Sequence, residues 1–197
     1  MRPLKDVYIL GYGVYIPRFR IKSELIGKVW GRGRERLPIP QKAVAGIDED
    51  STTMAYEAAR YALNRATVDP KDVGALFVGT ESPPYAVKPI ATTVVEALGL
   101  SNYILAIDME FACKAGTTAM ICVMGLVASH MVKCGMAIGV DTAQGRPSDE
   151  LEYTAGCGAS ALVLGCNYED PIAKVEAALS FVTDTPDFWR REGAYYP

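Results

Sequence analysis

Two residues stand where chemistry is expected, Cys113 and Glu81. Cys113 follows the segment LAIDMEFA, which reads as a strand and a turn, and it opens a long apolar stretch of helical character. A thiol at such a junction faces unpaired backbone N–H groups and the positive end of the helix dipole. Both stabilise thiolate, the nucleophilic form. The segment KAGT that follows is small enough to let a ligand approach the backbone. The competing reading is a buried, inert cysteine; the strand-to-helix position favours the nucleophile. Glu81 comes directly after the apolar run ALFVGT. A carboxylate at the carboxyl end of a sheet strand lies where α/β folds gather ligand groups. Apolar neighbours raise its pKa and suit it to general-base work. A solvated loop glutamate is the alternative.

His130, the sole histidine, is the obvious partner for Cys113 and is rejected. It lies 17 residues further along the expected helix, which at ~1.5 Å per residue is about 25 Å away. The chain therefore offers no Cys–His pair of its own. Gly156-Cys157-Gly158 precedes an apolar run and can bring backbone close to a ligand, or can be an ordinary tight turn. From Arg18 to Lys42 eight basic residues face two acidic ones. Arg18, Arg20, Lys22 and Lys28 in that stretch are candidates for binding phosphates, against the alternative of a solvated face.

The wider composition narrows the class. Half of the 197 residues are hydrophobic, enough for a sizeable core, and the net charge of -3 argues against wholesale nucleic-acid binding. No apolar run reaches the length of a membrane span. The N-terminus lacks the pattern of a signal peptide, so a cytoplasmic protein is expected. The five cysteines include no pair with the two-residue spacing of a zinc site.

The elements that must position these residues alternate. Strands are expected at Val7–Val14, Ala75–Gly79, Tyr103–Asp108, Ala137–Val140, Ala159–Leu164 and Ile172–Leu179. Helices are expected from just after Ser23, as N-cap, to about Gly31, from a cap at Ser51 or Asp50 to about Ala66, over Ala86–Leu98 with Pro89 in the first turn, and from Cys113 to about Lys133 with Gly135 as its stop. Ala55, Ala59, Leu63 and Ala66 give the second helix an apolar stripe. The fourth is apolar nearly all round, the mark of a buried central helix. Alternating strands and helices mean an α/β fold with crossover connections. The chain, residues 1–197, reads as one domain.

These pieces, in this order, resemble the hydroxymethylglutaryl-CoA synthase family of the thiolase superfamily. GYGVYIPRFRI resembles the family's first strand and loop. VGTESPP resembles the segment carrying its catalytic glutamate, which falls on Glu81. EFACKAGTTA resembles the nucleophile segment, with the acyl-carrying cysteine at Cys113. GVDTA places a supporting aspartate at Asp141, and YTAGCGASALVLG resembles a glycine loop and strand with Thr154, Gly156 and Gly158 on the substrate side. FVTDTPDFWRREGAYYP resembles an aromatic segment with its aspartate at Asp187. Two departures, Lys114-Ala115 in place of Tyr-Gly after the cysteine and Gly145 in place of a tyrosine, look like the archaeal branch.

The resemblance implies a thiolase-like fold, N-terminal half: a mixed sheet with a buried central helix. The chain ends just beyond that half, so it reads as a fragment, a truncation or one part of a split enzyme. It implies condensation of acetyl-CoA with acetoacetyl-CoA through an acetyl-cysteine, in the mevalonate pathway of isoprenoid biosynthesis. The two CoA thioesters are substrates rather than cofactors, and no metal or bound cofactor is implied. The catalytic histidine would come from the second half, and these residues alone are expected to be inactive. A homodimer is implied, with an acetoacetyl-CoA thiolase and a small acyl-CoA-bridging protein as further partners. The alternatives are a β-ketoacyl synthase of the same superfamily and a non-catalytic half-length subunit.

Overall fold

The computed structural model describes residues 1–31, 39–185 and 189–196. A six-stranded mixed sheet forms its centre. The strands are β1 (Tyr8–Tyr15), β4 (Val73–Gly79), β5 (Leu105–Met109), β6 (Cys134–Thr142), β7 (Cys157–Gly165) and the two-residue β8 (Ala173–Lys174). Their spatial order is β5-β4-β6-β7-β1-β8. β4 runs parallel to β5 and to β6, whereas β7 is antiparallel to both β6 and β1. β2 (Phe19–Lys22) and β3 (Gln41–Val44) make a separate antiparallel pair.

Helices cover the sheet on both faces, as buried parallel strands require. On one face α2 (Ser51–Ala66) and α3 (Ile90–Ala97) pack against Leu76, Val78, Met136, Ile138 and Val163. Asp50 starts α2 with a reciprocal capping box: its carboxylate accepts the Thr53 N–H at 2.8 Å, and its own N–H donates to the Thr53 hydroxyl at 2.8 Å. The expected stripe of Ala55, Ala59, Leu63 and Ala66 is the buried one. α3 begins at Pro89, which has no side-chain acceptor. Asp108 on β5 supplies one instead, its two oxygens accepting the Ile90 and Ala91 N–H groups at 2.6 and 2.8 Å. On the opposite face α4 (Ala115–Ala128) packs Ala119, Val123 and Val127 against Ala75, Phe77, Ala137 and Leu164.

Several expectations are corrected. The central helix is shorter than Cys113–Lys133 because His130 takes a left-handed backbone, φ 59°, and ends it. Gly135 lies inside β6 rather than at a helix stop. α4 buries one face and leaves Thr117 and Gly125 exposed. The expected strand Ile172–Leu179 contracts to two ladder residues, since β1 begins at Tyr8 and only isolated bonds, such as Val175 N–H to Val7 C=O at 2.9 Å, continue beyond it. The first helix, α1 (Ser23–Val29), is entered from Lys22 rather than capped by Ser23, whose hydroxyl donates to the Ile39 carbonyl at 2.6 Å. A four-residue helix, α5 (Leu151–Thr154), lies between β6 and β7. Among the described residues no helix is long and apolar enough to cross a membrane.

Candidate active site

Because β4, β5 and β6 are parallel, their carboxyl ends lie together, and the antiparallel β7 brings its amino end to the same edge. Glu81, the turn before α4, Asp141 and the Gly156–Gly158 segment therefore meet there, at the ends of strands where open α/β sheets bind ligands. A cavity of about 380 Å³ opens at this edge, with Cys113, Gly116, Gly139, Asp141, Gly156 and Gly158 in its wall.

Cys113 does not open α4 itself. It sits in a single turn of 3-10 helix, Ala112–Lys114, immediately before α4. The turn is entered through Ala112 in the left-handed region, φ 44°. A residue with a Cβ held there costs roughly 1–3 kcal/mol, strain of a kind that clusters at functional sites. The sharp entry leaves Cys113 the one exposed cysteine of the five; Cys134 and Cys166 are buried and Cys122 and Cys157 half-buried. The turn can rest on the sheet only because Gly79 has no side chain: a Cβ there would stand 2.3 Å from the Ala115 carbonyl carbon and the Gly116 nitrogen. Lys114 lies over the Phe111 ring, 4.0 Å from its centroid, and its Nζ reaches the Ser180 hydroxyl at 2.8 Å.

Glu81 is joined to the Cys113 turn through backbone. Its Oε1 accepts the Phe111 N–H at 2.7 Å, two residues before the thiol. Desolvation pushes the Glu81 pKa above the usual carboxylate value. The Phe111 and Ala112 N–H groups oppose that rise, and the nearby charges of Glu110 and Asp141 reinforce it. A carboxylate raised in this way, beside a nucleophile, has the character of a general base.

Asp141 faces the same turn from β6. Its Oδ1 accepts the Glu81 N–H at 2.8 Å and the hydroxyls of Thr80 and Ser82 at 3.1 and 2.7 Å. Thr80, Ser82 and the buried Ser51 behind them were not legible as site residues. The only sequence signal is that a polar Thr-Glu-Ser follows a wholly apolar strand. Gly156 and Gly158 line the cavity; Thr154, exposed at the end of α5, is not part of its wall. Gly145 packs on α5 so tightly that a Cβ would lie 2.3 Å from the Glu152 nitrogen, so a tyrosine at this position needs a different loop path.

The basic segment is only partly drawn into contacts. Arg18 stacks on Phe19, 5.5 Å from the ring centroid, and Arg20 donates to the Phe19 carbonyl at 2.8 Å. Lys22 precedes α1, and Lys28 lies in its last turn. None of these four lines the cavity. Arg32, Arg34, Arg36 and Asp187 lie outside the described residues. His130 is exposed beyond the far end of α4, a 14-residue helix, which spans about 20 Å; it is not brought to Cys113.

Comparison with known proteins now decides the family. The profile of the thiolase N-terminal domain matches residues 34–160, more than half of the chain and the whole of the Cys113 and Glu81 region. The chain belongs to the thiolase family. Within it, the hydroxymethylglutaryl-CoA synthase of Pyrococcus horikoshii is 54% identical over 197 residues, all of this chain and 56% of that protein. The protein of the same name from Methanopyrus kandleri is 54% identical over 201 residues, covering 100% of this chain and 57% of the relative. The chain thus spans about half the length of the curated relatives it matches, and these are archaeal. Among solved structures, a priming β-ketosynthase from a polyketide biosynthetic pathway superposes with a TM-score of 0.76 at 24% identity, over 85% of this chain and 52% of the other. The 3-oxoacyl-(acyl carrier protein) synthase III of Pseudomonas aeruginosa gives 0.75 at 24% identity, over 83% and 51%. Those two likenesses establish the thiolase fold and nothing finer.

Proposed function

We propose that residues 1–197 form the N-terminal domain of a hydroxymethylglutaryl-CoA synthase and carry its nucleophile and its base. The observation that supports this most is the contact between the Glu81 carboxylate and the backbone that presents Cys113, in a chain whose whole length matches synthases of that name.

In this reading the Cys113 thiolate attacks the acetyl-CoA carbonyl. The S–C bond of the new thioester forms, the old one breaks, and CoA thiol leaves with a proton. Glu81 then removes a methyl proton from acetyl-Cys113, using acceptor capacity that the Phe111 bond to Oε1 leaves free. The developing enolate oxygen needs a donor; the Cys113 backbone N–H is the proposed source. The enolate carbon attacks the ketone carbon of acetoacetyl-CoA, forming the new C–C bond, and the resulting alkoxide takes up a proton. Water finally cleaves the Cys113 thioester, releasing hydroxymethylglutaryl-CoA and the free thiol.

Asp141, Gly156 and Gly158 shape the cavity, and Thr154 and Asp187 support the substrate. Arg18, Arg20, Lys22 and Lys28 meet the CoA phosphates. The histidine that polarises acetoacetyl-CoA comes from a second half of the fold. A homodimer is the expected assembly, with an acetoacetyl-CoA thiolase and a small acyl-CoA-bridging protein as partners. The test is product formation from the two thioesters. These residues by themselves should give none, and they should give it once joined by a second half. Steady turnover by residues 1–197 alone, abolished by His130→Ala, would overturn the reading.

A further inference from the structure

Beneath Glu81 lies a cluster of hydroxyls and one carboxylate that the steps above do not use. Asp141 Oδ1 accepts from the Thr80 hydroxyl at 3.1 Å, the Glu81 N–H at 2.8 Å and the Ser82 hydroxyl at 2.7 Å. The Ser82 hydroxyl oxygen in turn accepts the Thr142 N–H at 2.9 Å. Ser51, fully buried in the first turn of α2, donates its hydroxyl to the Ser82 carbonyl at 2.8 Å. Thr80 is 2% exposed. Buried hydroxyls are costly unless partnered, and here each has a partner. Ser82 has a single hydroxyl proton, and the 2.7 Å bond aims it at a carboxylate, the stronger, charge-assisted kind. Through this one residue the end of β4, the end of β6 and the start of α2 are tied together.

We propose that Ser82 is a positioning residue for Glu81, acting through Asp141. The inference rests on the proposed role of Glu81 as the base. Without the Ser82 hydroxyl, Asp141 Oδ1 keeps two of its three donors and the Thr142 N–H loses its acceptor. The turn keeps the Thr80 and Glu81 bonds to Asp141 and the Ser51 bond to the Ser82 carbonyl, but loses the side-chain tie that fixes Ser82 to the end of β6. A general base works only within about 2.6–3.2 Å of the proton it takes, and a misplacement of about 1 Å costs roughly a hundredfold in rate. Glu81 is exposed as a residue, yet its carboxylate is partly desolvated, and a loosened turn relaxes that desolvation.

The test uses a protein carrying both halves of the fold, with condensation followed in single turnovers from the acetylated enzyme. Ser82→Ala should slow condensation roughly ten- to hundredfold and move the acidic limb of its pH profile to lower pH. Ser82→Thr, which keeps the hydroxyl, should restore most of the rate. In a Glu81→Gln background Ser82→Ala should cause no further loss, since a residue acting through Glu81 has nothing left to position. An unchanged rate in Ser82→Ala, a Ser82→Thr as slow as the alanine, or a loss that multiplies with that of Glu81→Gln would overturn the inference while leaving the base assignment standing. Normal condensation by Glu81→Gln alone would overturn the base assignment and this inference with it.

Discussion

The Glu81 carboxylate and the Phe111 backbone N–H stand 2.7 Å apart, and this bond joins the end of one strand to the turn that presents the nucleophile. Removing it tests the division of labour. Glu81→Ala should let acetyl-Cys113 accumulate and slow condensation by ~10²–10⁴-fold, the usual worth of a general base. Rapid-quench measurement of the acetyl-enzyme and of product separates the two steps. A mutant that condenses at the normal rate makes Glu81 a loop residue.

The same carboxylate should set a pH-dependent stability. Its pKa is raised in the folded state, chiefly by desolvation. A raised carboxylate binds its proton more tightly when folded, so its contribution is fully present below the unfolded value. It is lost as pH rises through the folded value. Glu81→Gln keeps an acceptor for the Phe111 N–H and removes the charge. It should therefore raise Tm at neutral pH and change it little in acid. Thermal melts at both pH values check this; an equal shift at each would remove ionisation as the cause.

Asp108 should matter for stability rather than for chemistry. It caps α3 from a neighbouring strand through two backbone N–H groups. Asp108→Ala should cost about 1–2 kcal/mol, the worth of a good cap, seen as a lower denaturation midpoint with an unchanged slope. A neutral substitution would mean that the packing of Ile90 and Val94 alone holds the helix.

Charge reversal at Arg18 and Arg20 should raise the KM for CoA substrates, with a steeper effect at low salt. Neither side chain lines the cavity, so the effect should be on binding and leave kcat close to its starting value. An unchanged KM returns the segment to a solvated face.

Much of this could be read from the residues alone, for reasons the structure makes plain. β4, β6 and β7 are apolar runs buried in the sheet, and hydropathy alone locates them within a few residues. β2 and β3 escaped notice because each is four residues long: Phe19-Arg20-Ile21-Lys22 alternates over only two apolar positions, and Gln41–Val44 does not alternate. Glu81 stands out because it ends an apolar run, and Cys113 because it opens one. The break between Cys113 and α4 was hidden, since nothing in an alanine announces the left-handed backbone that Ala112 adopts. The Ser51–Ser82–Asp141 cluster was hidden for a different reason. Its members are 31 and 59 residues apart, and only the crossover topology brings them together.

The central claim is that Cys113 carries the acyl group, and one measurement tests it most directly. Incubation with isotopically labelled acetyl-CoA, followed by peptide mass mapping, should place the acetyl group on Cys113, the one exposed thiol of the five. Cys113→Ala should abolish the label. Label on Cys122 or Cys157, or a label that survives Cys113→Ala, would contradict the account.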